Sequence, residues 1–355
     1  MNVQTRRARR GFSRAVIALA LVASAGVWVP AARAAMAQDR VAPAEQRGDA
    51  VDLRPKLTKG STFRFRMELD SLERTPKIAA LDPLADPSDA TTDDGQDGKK
   101  DGKKDGKKDG GKGGKGTAQA DVSETRRVQD IVLRMTVLES NPETGSTLEL
   151  VYEQMKMRMS SPELGDIEFD SSKPPRADDP AAGIAQVLST IVGTTMTVTM
   201  DKDGVVTNVS TPPGATMGAE SVTGRDVISG LVGQVFTMKK GQPTARVGET
   251  WTNDSVMSAS WARTRVTTTN TLKSHRGGLA NIAIRGSFAM EPSSPGQALG
   301  ITIKDATLEG SASWNTEVGM LDAMNVTQQM TAEITMPTGP LSTTARQTTK
   351  VTRLK

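Results

Sequence analysis

The chain holds one histidine and no cysteine, and that inventory limits the chemistry within its reach. A histidine-based metal site needs more than one imidazole. Serine–histidine catalysis needs an imidazole as its base. His275 alone would have to be that base. It lies in "LKSHRGGLA", beside Gly277 and Gly278, where a hairpin turn is the plain reading. No G-x-S-x-G elbow occurs. Carboxylates are plentiful, and a pair of them converging in a cleft is the one familiar hydrolytic arrangement left open. Glu149, Glu153, Glu309 and Glu317 are the acids to follow for that alternative.

"MKMRM" (Met155–Met159) is the most specific oddity. Clustered thioethers bind Cu(I) outside the cytoplasm. On a strand, however, period two puts these three methionines on one face and Lys156 and Arg158 on the other, which is how a core strand reads. Met67, Met135, Met196, Met200, Met290 and Met330 also fall at apolar strand positions. Methionine is flexible and fills irregular apolar space. These six are the candidates to line a cavity for an acyl chain or other apolar ligand, against the plainer reading of a core that uses Met where others use Phe. No cofactor and no metal site is expected.

The elements that must position such residues begin after a leader. A basic stretch, "MNVQTRRARRGFSR", precedes the apolar run "AVIALALVASAGVWV" and the small residues of "PAARAAMA", the form of an export signal. Cleavage is expected after Ala37, with Ala34 the alternative. Arg9, Arg10 and Phe12 give it a twin-arginine flavour; ordinary secretory and twin-arginine export both remain open. The leader carries six arginines and no acid, so its removal takes the formal net charge from +4 to −2. The basic pI therefore gives no argument for nucleic acid. No second long apolar run follows, so the mature chain is expected to be exported, periplasmic or extracellular, and not membrane-spanning.

Residues 38–60 form a lead-in and 61–355 a single β-rich domain, interrupted at about 84–121 by Asp, Gly, Lys and small residues. This insert has too little to bury to offset its ordering entropy, and disorder is expected. Its six Asp and eight Lys from Asp93 to Gly116 mix the two signs, unlike a nucleic-acid arm. The flanks alternate as strands: "STFRFRMELDS" before, "VQDIVLRMTVLES" after. They are expected to pair as a hairpin with the insert as its loop, because loop-closure cost grows only logarithmically with length.

"STLELVYEQMKMRMSS" alternates with a phase switch near Glu153–Gln154, which predicts a bulge. "TMTVTMDKDGVVTNVS" reads as a hairpin around Asp201–Gly204. Two segments have helical spacing instead. One carries Ile184, Val187, Leu188, Ile191 and Val192, capped by Asp179 and ended by Gly193. The other carries Ile228, Leu231, Val232, Val235 and Phe236, with Lys239 and Lys240 at its favourable C-terminal end. About five more strands follow, the last, "LSTTARQTTKVTRLK", being polar enough to predict an edge. The predicted fold is α+β, mainly β: a large curled antiparallel sheet, an open half-barrel, packed around two helices.

The leader, the "KGSTFRFRMELDS" strand, the "MDKDGVVTNVS" hairpin and the "VGETW" stretch (Val247–Trp251) together resemble an uncharacterised family of exported bacterial proteins, a domain of unknown function. That resemblance implies a label and no catalytic residues. A curled sheet around helices is also similar in plan to the periplasmic lipid carriers of the LolA and LppX type. The expectation is a non-enzymatic exported binding or cell-envelope protein, an apolar-ligand or lipid carrier in its sharper form. A carboxylate-based hydrolase is the alternative.

Overall fold

The structure, a computed structural model, describes residues 49–76, 122–162, 165–174, 182–210, 225–239, 241–258, 263–291, 300–336 and 339–355. The leader and the Asp/Gly/Lys insert lie outside the described residues, as do Asp179 and Lys240. In chain order the elements are β1 (Val51–Asp52), β2 (Thr62–Pro76), β3 (Val122–Asn141), β4 (Gly145–Ser161), β5 (Gly165–Asp170), α1 (Ala182–Ile191), β6 (Thr195–Met200) and β7 (Val206–Ser210). Then come α2 (Arg225–Phe236), β8 (Thr244–Ala245), β9 (Thr250–Ser258), β10 (Arg263–Arg276), β11 (Leu279–Met290), β12 (Ile301–Asn315), β13 (Met320–Met336) and β14 (Gly339–Leu354).

One 12-stranded sheet runs β7-β6-β4-β3-β2-β14-β13-β12-β11-β10-β9, with β5 paired to β4. Its pairs are antiparallel, and its two ends do not join, so the half-barrel stays open. The hairpin across the insert forms as expected: Thr62 faces Thr136 at one end and Pro76 faces Val122 at the other. The bulge in β4 is also where the phase switch placed it. Val132 pairs with Gln154 and Leu133 with Tyr152, leaving Glu153 as the extra residue. That one insertion lets Leu148, Leu150 and Tyr152 share the inner face with Met155, Met157 and Met159.

Both helices join the core. Leu188 and Ile191 of α1 are buried, and Gly193 ends the helix at a left-handed φ of 81°. Ile228, Leu231, Val232, Val235 and Phe236 of α2 are all buried, facing β7 at one edge of the sheet and β13 near its middle. A Cβ on Gly310 of β12 would lie 2.2 Å from the Asn325 carbonyl oxygen of β13, so only glycine permits that approach.

Two expectations are corrected. The C-terminal strand β14 is not an edge. It pairs with β13 on one side and β2 on the other, because rolling the sheet brings the last strand back against the first long one. Its polar composition has a different cause: Thr343, Gln347 and Thr349 point inward and are buried. Lys239 does not sit free at a helix end. It is buried after α2, where Nζ donates to the Thr244 carbonyl at 2.6 Å and to Glu249. It also lies 5.5 Å from the centre of the Trp251 ring.

Candidate functional site

The inner face divides into two chemically different halves. On β2, β3, β4 and β6 its fully buried side chains are hydrophobic, from Phe65 through Met135 and Leu150 to Val198. On β9–β14 it mixes in Ser255, Thr264, Thr268, Asn270, Gln347 and Thr349, all buried. Period two places these side chains inward beside Ile284, Leu308, Met324 and Val326. Buried polar groups are the informative kind, since apolar residues inside need no special reason.

A partly enclosed cavity of about 70 Å³ lies where this half meets α2. Gly233, Gln234, Thr237 and Met238 form the helix wall. The sheet wall is apolar at Ile284, Leu308, Met324 and Val326, and polar at Asn253, Thr268, Asn270, Gln328 and Thr349. Some of the polar atoms are already engaged. Asn253 Nδ2 donates to the Met238 carbonyl at 3.0 Å, and Gln347 Nε2 donates to Thr349 Oγ1 at 3.2 Å. Thr268 Oγ1 donates to the Asn253 carbonyl at 3.3 Å, and Asn270 Nδ2 reaches Thr268 Oγ1 only at 3.5 Å. Gln328 Oε1 is buried and has no hydrogen-bond partner among the described residues.

"VGETW" turns out to hold this wall together. Glu249 Oε2 accepts the Arg246 amide at 2.8 Å, its other oxygen accepts from Lys239, and the Trp251 indole N–H donates to the Met238 carbonyl at 3.0 Å. The segment leaving α2 is thus tied to edge strand β9. Burial pushes the Glu249 carboxyl up, but the Lys239 hydrogen bond, the Arg246 amide and both cations outweigh it and hold the group below its ordinary value. On the same inner face, β2 and β3 carry Glu73 and Arg127. Burial pushes the Glu73 carboxyl up and brings the Arg127 guanidinium down to about 10, each partly opposed by the charge of the other.

The residues singled out from sequence are distributed otherwise. Met67, Met135, Met196 and Met200 are core side chains no more than 1% exposed, while Met290 and Met330 are half-buried. None of the six lines the cavity; Met238 and Met324 do. Met155, Met157 and Met159 are buried beside Ile167 and Phe169 of β5, with Lys156 and Arg158 exposed, as core packing requires. His275 is exposed near the β10–β11 turn, its Nε2 3.1 Å from Thr316 Oγ1. The four acids do not gather in one cleft; only Glu149 and Glu153 come together, across Arg134. Glu149 and Glu153 pair with Arg134 on the outer face of β4, Glu309 pairs loosely with Arg285, and Glu317 is in the turn after β12. Among the described residues no group of three or more His, Cys, Asp or Glu could hold a metal ion.

Sequence reading missed Asn270, Gln328, Thr268 and Thr349. Their signal was present but ambiguous. "TTTNTL" and "ARQTTKV" are polar on both parities, which reads equally well as an exposed strand.

The outer face is strongly polar. Arg66 makes a two-pronged pair with Asp130, at 2.9 and 2.6 Å, and Arg126 does the same with Asp70, at 3.1 and 2.8 Å. Arg64 reaches Glu153 and Arg74 reaches Glu124. A lipid-facing strand band needs the opposite, apolar residues outward. No described helix is long and apolar enough to cross a membrane.

A family of unknown function (DUF6263) matches residues 143–211, from β4 through β7, including the "MDKDGVVTNVS" hairpin. No curated protein matches the chain. Among solved structures, an outer membrane channel from Pseudomonas putida F1 is similar at 7% identity, covering 84% of this chain and 97% of its own, with a TM-score of 0.25. DynF from the dynemicin biosynthesis pathway of Micromonospora chersina is similar at 8% identity, covering 90% and 94%, with a TM-score of 0.18. At those scores neither likeness carries an argument about this chain.

Proposed function

We propose that the protein is an exported, non-catalytic binding protein that holds a small ligand between α2 and the inner face of β9–β14. The observation that carries this reading is the set of buried uncharged polar side chains, Thr268, Asn270 and Thr349 among them, on the half of the sheet that bounds the cavity. Burying hydroxyls and amides is unfavourable unless they find hydrogen-bond partners, and the fully buried inward side chains of β2, β3, β4 and β6 are hydrophobic. Export rests on the leader's composition. At about 70 Å³ the cavity suits a ligand smaller than the drug-sized molecules whose sites run to roughly 300–1,000 Å³, and far smaller than a whole lipid. The apolar-ligand carrier is therefore kept in its small-ligand form.

The test is native mass spectrometry of the mature chain purified from its own host, beside a Leu308→Trp variant that fills the cavity. A small-molecule adduct on the wild type that is absent from the variant supports the proposal. A wild type without adduct, whose melting temperature also ignores a library of small polar and apolar compounds, overturns it.

A further inference from the structure

Resting on that reading, the walls of the cavity narrow the chemistry of what enters. We infer that the ligand is uncharged and carries at least one N–H or O–H donor beside an apolar body. The donor follows from Gln328. Its Oε1 is buried, lies on the cavity wall and meets no donor among the described residues. A buried carbonyl oxygen left without a donor is costly, and a ligand N–H or O–H entering here would satisfy it. The apolar body follows from the same sheet wall, where Leu308, paired directly with Gln328, and Ile284, Met324 and Val326 contribute only carbon and sulfur.

The absence of charge follows from what the wall could offer an ion. The inward positions of β9–β14 that line the cavity hold no charged side chain. Asp254, the charged residue of the lining, belongs to the opposite parity from Asn253 on β9 and already accepts Thr267 Oγ1 at 2.6 Å. Lys239, next in the chain to Met238, is held by Glu249 and the Thr244 carbonyl. A carboxylate, phosphate or ammonium entering this space would be desolvated without a counter-charge, which is prohibitive compared with burying an amide or hydroxyl that finds a partner. The class is thus short-chain amides, alcohols and compounds built like them.

Pentanamide and pentanoate make the test, since they match in size and differ in charge. Saturation-transfer NMR on the full mature chain at pH 7 is expected to show pentanamide binding at least tenfold tighter than pentanoate. Gln328→Leu should weaken pentanamide about tenfold, and Thr327→Val, on the outer face of β13, should leave it within threefold. Gln328→Met repeats the experiment if circular dichroism shows the leucine variant misfolded. Pentanoate binding as well as pentanamide overturns the uncharged class while leaving the cavity a binding site. Unchanged pentanamide affinity in both Gln328 variants means that Oε1 serves only ordered water, and overturns the donor requirement. Failure of both probes on wild type, or equal binding to Leu308→Trp, overturns the site itself.

Discussion

Replacing Glu249 by Gln tests whether the Lys239–Glu249 contact ties the end of α2 to β9. The Lys239 side chain is only 9% exposed and the Glu249 side chain 37%, with Nζ 2.5 Å from Oε1. Removing one partner of a fully buried pair costs roughly 3–5 kcal/mol, because the other charge is stranded. Exposure of Glu249 to solvent reduces that, and we expect about 2 kcal/mol for E249Q. Replacing the lysine as well removes the stranded charge. With K239M in place, E249Q should cost under about 0.5 kcal/mol, leaving a coupling energy near 1.5 kcal/mol. The assay is equilibrium urea unfolding of the wild type, both single variants and the double, with unchanged slope as the check that only stability moved. The pH dependence has a definite sign. The folded-state value of Glu249 lies below its ordinary 4.5, so its contribution is present at neutral pH and is lost as pH falls below about 4.5 through the folded value. Additive single-variant costs, or a cost for E249Q that does not shrink in acid, would refute the reasoning.

Gly310→Ala places a Cβ 2.2 Å from the Asn325 oxygen and should cost about 3 kcal/mol or prevent folding, whereas Gly183→Ala in α1, with open space around it, should stabilise by a few tenths to about 1 kcal/mol; melting temperatures decide both. Phe236→Ala empties a fully buried site beneath the sheet and is expected to lower stability by about 3–5 kcal/mol in urea titration. Asp130→Asn opens the pair with Arg66 on the exposed outer face and should cost less than about 1 kcal/mol, shrinking further in 1 M salt. Glu73 has a folded-state value raised by burial above its ordinary 4.5, so the wild type should lose stability as pH climbs from 4.5 through that raised value. In Glu73→Gln that decline is absent, and urea midpoints from pH 4 to 7 check it.

Sequence alone was enough for everything that depends on neighbours along the chain. Alternation in "STFRFRMELDS" and "VQDIVLRMTVLES" gave the strands on either side of the insert, and their pairing followed. The phase switch at Glu153–Gln154 gave the bulge, because a period-two pattern slips only when a residue is added. Helical spacing gave α2 with its buried hydrophobic side chains Ile228, Leu231, Val232, Val235 and Phe236. What the sequence could not give was which polar strand faces inward. β14 reads as an edge because an isolated strand with Thr and Gln on both parities looks exposed. Only the rolled sheet, joining β14 to β2 across nearly the whole chain length, turns Gln347 and Thr349 into an interior wall. For the same reason the methionines at apolar parities read as cavity lining, while the space beside α2 falls to Gln328, Asn270 and Thr268. Parity assigns a side chain to a face; whether that face meets solvent, a helix or a cavity is decided by contacts between residues far apart in the chain, and those exist only once the sheet has curled.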